Sequence, residues 1–306
     1  MPRRGDPAPR LLTAVGVAPT GTPAVVVVHP GAVPTHTYER LAAQLRPSAA
    51  LWVLNLERLP AYFQAALHPE APATSVEEIA DVLAGHLDVL RPWRTPWCLA
   101  GWSFGGVPAF ALAGRLAPEC RPTGLLLLDS IAPVPEYTRL DGELADREVL
   151  RWFAMYLGAR RGATLHLPAT LPDDRVAGLG EVLTAATRAG ALPPDTTLPG
   201  IRKVLDTYLQ GLLRNNRLAS AYHPEPVSLP VWLMRPDRGL LDTPDPLGWS
   251  GLAADLRVRR CAGDHYTMLH HPEAVPHVAA AAQTLLHGAR PVPAGLVSAR
   301  LASTSS

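Results

Sequence analysis

Trp97-Cys98-Leu99-Ala100-Gly101-Trp102-Ser103-Phe104-Gly105-Gly106 is the stretch on which the reading of this chain turns. Residues 97–102 form an apolar run short enough for a buried strand, and the mostly apolar segment 107–116 behind it suits a helix. Between them stands Gly-x-Ser-x-Gly, with Ser103 at its centre. A serine at a strand-to-helix elbow takes a strained backbone conformation, and glycines on either side remove the side chains that would collide there. Its hydroxyl is then exposed while the helix N-terminus faces developing negative charge. An ordinary Gly-rich turn is the plain alternative, and the strand before and helix after weigh against it.

Outward from the elbow the pattern repeats. Short apolar runs at 24–29, 51–55, 124–129, 231–235 and 256–259 read as further buried strands of a parallel sheet. Residues 75–90 place Val76, Ile79, Ala80, Leu83, Leu87 and Leu90 on one helical face, and Ser75 with Glu78 forms a capping box at its start. Strand and helix in alternation predict an α/β architecture, with helices covering both faces of a mostly parallel sheet.

One interval breaks the alternation, about 100 residues between Asp129 and Val231. Leu150, Phe153, Leu157, Leu205, Tyr208 and Leu212 fall there at helical spacing, which predicts a helical lid insertion over 134–229. Insertions at the carboxyl edge of such sheets line the ligand site. A single domain over 11–290 is expected, with mobile ends at 1–10 and 291–306, which are rich in Pro, Arg, Ala and Ser.

Composition narrows the function classes. At 306 residues and 47% hydrophobic, the chain can bury one sizeable core. Its 28 basic and 27 acidic residues leave a net charge of +1, so no long-range field points to nucleic acid or to an anionic membrane. No run reaches the roughly 18 apolar residues of a membrane span. An apolar stretch at 11–18 follows Arg3 and Arg4, but Asp6, Pro2, Pro7 and Pro9 argue against a secretory signal, and a cytoplasmic location is expected. Cys98, Cys120 and Cys261 lack metal-ligand spacing and are read as reduced thiols, with no metal site.

A serine hydroxyl needs a neighbouring base, supplied from a later loop. His265 lies in such a loop, after the last expected strand and before the final helix. His29, His270 and His271 are read as structural. For the acid that orients His265 the pattern leaves two candidates: Asp129 follows residues 125–128, and Asp237 follows 231–234. Either keeps the Ser, Asp, His chain order. The amide of Phe104, directly after the serine, is the expected first oxyanion donor.

LAGWSFGG at 99–106 and LLLLDSIAP at 125–133 resemble the thioesterase domains of polyketide synthases and nonribosomal peptide synthetases. The likeness extends to HPGA at 29–32, VWLMR at 231–235 with Trp249 downstream, and AGDHYTML at 262–269. It is closer to the terminal domains of synthases than to stand-alone editing enzymes. The resemblance implies an α/β-hydrolase fold, assigns the acid to Asp129, and places the second oxyanion donor in the loop after the first buried strand, at Ala32 with Gly31 next. It implies no cofactor of the enzyme's own. The substrate would be an acyl or peptidyl chain on the phosphopantetheine of a carrier protein, released by hydrolysis or cyclisation through an acyl-Ser103 intermediate in antibiotic-type biosynthesis. No carrier domain precedes the motif, so a free-standing enzyme acting in trans is expected. The lid matches no family motif. Two other readings stay open, a carboxylic-ester hydrolase acting on a diffusible small molecule and a non-catalytic carrier-docking protein.

Overall fold

Val25, Val26, Val27 and Val28, like the four leucines of Leu125–Leu128, are apolar on both sides of the chain, which suits strands covered on two faces. A computed structural model describes residues 11–16, 19, 21–67, 74–138 and 144–288. The expected N-terminal segment 1–10 and the tail 291–306 lie outside these described residues.

The strands are β1 (Leu12–Val15), β2 (Ala24–His29), β3 (Ala50–Asn55), β4 (Trp97–Trp102), β5 (Leu125–Leu128), β6 (Val231–Arg238) and β7 (Leu256–Asp264). They form one 7-stranded sheet in the order β1-β3-β2-β4-β5-β6-β7. Every neighbouring pair is parallel except β1 with β3. The helices are α1 (Glu39–Leu45), α2 (Pro60–Leu67), α3 (Val76–Leu90), α4 (Gly106–Arg115), α5 (Asp146–Arg161), α6 (Arg175–Arg188), α7 (Leu198–Ala221) and α8 (Ala274–Gly288).

Strand alternation divides the core into two layers. Val26, Val28, Leu99, Leu125 and Leu127 face one way, packing with residues of α3 and α4. Val25, Val27, Cys98, Ala100, Leu126 and Leu128 face the other way, packing with residues of α1 and α8. The capping box at Ser75 is present, with Glu78 N–H donating to Ser75 Oγ at 3.1 Å and Ser75 N–H donating to Glu78 Oε2 at 3.0 Å.

Helices α5, α6 and α7 lie between β5 and β6 and share a third apolar cluster, in which Leu150, Phe153, Leu157 and Leu205 are buried. Tyr208 and Leu212 pack against it from the side.

Two strand ends and one element depart most from the sequence expectation. Strands β6 and β7 run on to Arg238 and Asp264, past the expected ends at 235 and 259. Their added residues include exposed and half-exposed groups, so hydrophobicity fades before the backbone pairing does. The stretch at 11–18, weighed as a possible signal, supplies β1, an edge strand whose register runs from Leu12 opposite Leu54 to Val15 opposite Leu51. A four-residue edge strand with polar exposure carries too little alternation to be recognised alone.

The parallel registers fix where chemistry can occur. Val28 pairs with Gly101, Trp102 with Leu128, and Leu128 with Met234. The loops after β2, β4, β5 and β6 therefore meet at the carboxyl edge, where ligands bind in sheets of this kind.

Candidate active site

Ser103 has φ +55°, a left-handed value that a non-glycine residue adopts only under strain. The surrounding glycines explain how the chain tolerates it. A Cβ at Gly101 would run into the Gly106 backbone, one at Gly105 into the Val28 carbonyl, and one at Gly106 into the Ser130 side chain. Phe104 lies in the turn Ser103–Gly105 that leads into α4, at the positive end of that helix.

His265 Nε2 is 3.0 Å from Ser103 Oγ, and His265 Nδ1 is 2.7 Å from Asp129 Oδ2. With the Nδ1 proton directed at the carboxylate, Nε2 is free to accept from the serine hydroxyl. Asp129 and His265 are each only 1% exposed, so the chain of hydrogen bonds is sheltered from water below the serine. The imidazole is held on several sides. Its backbone N–H donates to the Arg238 carbonyl at 3.0 Å, its carbonyl accepts from Trp102 Nε1 at 2.9 Å, and its ring packs over Trp102 and against the edge of Tyr266.

Of the two aspartates that the pattern left open, Asp129 reaches His265. Asp237 is exposed on β6, and its backbone carbonyl accepts from Arg260 Nη2 at 3.4 Å. Asp129 itself sits at φ +42° directly after β5, and a Cβ on Gly239 would crowd its carboxylate. Its Oδ2 also accepts from the Leu240 N–H at 3.3 Å.

Sequence reasoning missed Arg235, at the end of VWLMR. The residue is 4% exposed, and its Nε lies 3.7 Å from Asp129 Oδ1. Neither atom has a hydrogen bond among the described residues. The rest of the guanidinium donates to the carbonyls of Thr243, Asp245 and Leu241 at 3.0, 2.7 and 2.9 Å. A buried arginine beside a buried aspartate offsets its charge, and the available signal was an arginine at the end of the apolar run 231–235.

The loop after β2 is built by His29, which is fully buried. Its Nε2 is 2.8 Å from the Val33 carbonyl and its Nδ1 3.1 Å from the Tyr38 hydroxyl, and its ring stacks on Trp102. Burial pushes its pKa down to about 4, against the smaller opposing effect of the Val33 carbonyl. His29 is thus a neutral brace, as the sequence suggested. Ala32, in the same loop, has φ +73°, and its N–H donates to Glu57 Oε1 at 3.4 Å, a long and weak bond.

The helices between β5 and β6 touch this machinery directly. Arg160 of α5 donates to the Ala32 carbonyl at 2.9 Å. Tyr62 of α2 stacks on Phe104 and lies 3.2 Å from the Pro30 carbonyl. Its hydroxyl accepts from Arg214 Nη2 and donates to Asn215 Oδ1, each at 2.7 Å, on α7. Burial raises the Tyr62 phenol to about 12, so it stays a donor. Tyr208 of α7 is 3.2 Å, hydroxyl to hydroxyl, from Tyr266, the neighbour of His265.

Among the described residues, no cluster of His, Cys, Asp or Glu could hold a metal ion, and no helix is long and apolar enough to cross a membrane. Cys98 and Cys261 are buried, and burial raises both thiols, Cys261 to about 12.

Comparison with known proteins bears on the family and the fold. A family model described as "Thioesterase domain" matches residues 23–284. The chain is 34% identical over 110 residues to polyketide synthase GfsE of Streptomyces halstedii, covering 36% of this chain and 3% of that protein. It superposes on the structure of a four-domain nonribosomal peptide synthetase bound to AMP and glycine with a TM-score of 0.60 and 28% identity. That match covers 95% of this chain and 21% of that one. The NocB thioesterase domain, solved as a covalent complex with a fluorophosphonate nocardicin G analogue, matches in fold over 90% of this chain and 100% of its own. Its TM-score is 0.55 at 24% identity. The chain therefore corresponds to a small part of the synthases it matches, and its sheet and flanking helices are those of α/β-hydrolase thioesterases.

Proposed function

The chain belongs to the thioesterase domain family, and from that premise we propose that it releases an acyl chain from a carrier-protein phosphopantetheine thioester through an acyl-Ser103 intermediate. The observation that carries this reading is the unbroken hydrogen-bond chain from Ser103 through His265 to Asp129, at 3.0 and 2.7 Å.

Ser103 Oγ attacks the thioester carbonyl while its proton passes to His265 Nε2. Asp129 holds the imidazole in the tautomer that can accept that proton and offsets the imidazolium charge that forms. The tetrahedral oxyanion receives the Phe104 amide, with Ala32 as the second donor. Ala32 N–H donates to Glu57 Oε1 at 3.4 Å in the resting structure, so serving the oxyanion requires the Gly31–Ala32 peptide to turn from Glu57 toward Ser103. Collapse expels the pantetheine thiol, protonated by His265. A water, or a hydroxyl or amine of the chain itself, then attacks the acyl-serine, with His265 again taking the proton. Over this site α5 and α7 act as a lid whose shape selects water or the chain's own nucleophile.

Two measurements test the reading. A fluorophosphonate probe labels the wild type at Ser103 and fails to label Ser103→Ala; labelling of both, or of neither, removes Ser103 from the mechanism. Matched hexanoyl esters and hexanoyl-carrier thioesters are then compared by kcat/KM. The thioester on the carrier is expected to be the better substrate, and equal turnover of the free ester favours a small-molecule esterase instead.

A further inference from the structure

A polar cavity of about 630 Å³ opens beside the loop after β2 and does not include Ser103 in its walls. Its lining brings together Arg40 of α1, Arg58 from the turn after β3, and Arg160 of α5, along with His36 and His270. Glu39 and Glu57 also line it, but Glu57 is turned toward the Ala32 amide. Among the described residues none of the three guanidinium groups is ion-paired to a carboxylate, whereas Arg115, Arg175 and Arg235 each are. His270 Nδ1 is buried with no hydrogen-bond partner among the described residues. Burial is the main cause that lowers the His270 pKa, and the charge of Arg40 adds to it against the opposing charge of Asp264.

The position of this cavity is informative. Val33 forms part of its wall, Arg160 binds the Ala32 carbonyl, and Glu57 binds the Ala32 amide. On the other flank of the same loop, Pro30 packs against Gly105, two residues from Ser103. One loop thus separates an anion-attracting cavity from the nucleophile. A ligand that engages both sides, with a negative group at one end and the scissile bond at the other, has to cross Gly31 and Ala32.

We propose that this cavity is a phosphate subsite for the phosphopantetheine arm, with Arg40 and Arg58 as its principal ligands. The inference rests on the thioesterase reading and names where the arm is held. Arginine suits the role because its fork of N–H donors matches phosphate oxygens in charge and geometry. The exposed position of both arginines makes the contact sensitive to ionic strength.

The test compares hexanoyl-4′-phosphopantetheine with hexanoyl-pantetheine, which differ only in the phosphate. The wild type is expected to favour the phosphorylated thioester in kcat/KM, and the preference to shrink as salt is raised. In Arg40→Gln/Arg58→Gln that preference should fall by about tenfold, the loss expected when hydrogen bonds to a charged group are removed. Absence of preference in the wild type, or an undiminished preference in the variant, overturns the proposal. If neither thioester is turned over, the thioesterase reading fails on its own, and calorimetric titration still decides the subsite. Free 4′-phosphopantetheine binding more tightly than pantetheine in the wild type, with the difference lost in the variant, supports it; equal binding overturns it. Inorganic phosphate binding as tightly as phosphopantetheine assigns the cavity to free phosphate and also overturns it.

Discussion

Replacing Arg235 with methionine keeps most of the aliphatic stem and removes the charge beside Asp129. In the wild type the two groups are 4% and 1% exposed and approach to 3.7 Å. At an effective dielectric of about 20, opposite charges at that distance attract by roughly 4 kcal/mol. Removing one partner of a buried pair costs about 3–5 kcal/mol, chiefly because the remaining charge is left uncompensated. Three carbonyls, of Thr243, Asp245 and Leu241, also lose their donor. Arg235→Met should therefore lower the unfolding free energy by about 3–5 kcal/mol in urea titrations followed by circular dichroism. In an Asp129→Asn background no buried carboxylate remains to be orphaned, and the cost should fall by at least about 1.5 kcal/mol, well beyond the ~0.5 kcal/mol scatter of independent sites. A double-mutant cycle that is additive within that scatter would show that Arg235 acts only by tying the loop after β6, and the charge-compensation account would be wrong.

Other outcomes follow from the same contacts. Asp129→Asn should reduce kcat by about 10⁴ while Asp237→Asn stays close to wild type, and the reverse ranking in thioester turnover would move the acid to Asp237. Tyr62→Phe leaves Arg214 and Asn215 without a hydroxyl between them and should cost about 1–3 kcal/mol in unfolding free energy, with faster proteolysis within α7; an unchanged cleavage pattern would detach Tyr62 from the position of that helix. His29, with a folded-state pKa of about 4 against 6.5 unfolded, leaves the unfolded state binding more protons between those values, so it makes stability rise with pH across that window. Between pH 7 and pH 5 this titration removes about 2 kcal/mol, and His29→Gln should show a correspondingly shallower loss in paired urea titrations; an identical slope would rule His29 out.

What the sequence disclosed was local. Ser103 was legible because the elbow is enforced by close neighbours: the backbone of Gly106, the Val28 carbonyl and the side chain of Ser130 each exclude a Cβ at a particular glycine. The buried strands were legible because both faces are apolar. Strand β1 was not, because only one edge of it is paired and half its residues face outward. Asp129 and Asp237 were indistinguishable by pattern, since each follows an apolar run. The fold separates them by register: Leu128 lies beside Trp102, so the residue after β5 emerges next to the serine, whereas β6 continues past residue 235 and carries Asp237 into solvent.

The contacts that sequence reasoning missed share a different character, because each joins residues far apart in the chain whose types are unremarkable alone. Arg160 meets the Ala32 carbonyl across 128 positions, and Tyr62 meets Asn215 across 153. Trp152 donates to the Leu240 carbonyl at 2.7 Å across 88. No periodicity or spacing encodes such pairs; they exist only once the sheet has set the loops side by side. Their endpoints are nevertheless not scattered. Ala32 and Pro30 belong to the loop of the expected oxyanion donor, Leu240 N–H bonds to Asp129, and Tyr208 reaches the neighbour of His265. The helices between β5 and β6 are thus fastened to the parts of the site that must hold still during acyl transfer. A shift of α5 or α7 would displace the loop after β2 and the imidazole's packing together, so the position of these helices and the alignment of Ser103, His265 and Asp129 are one mechanical problem.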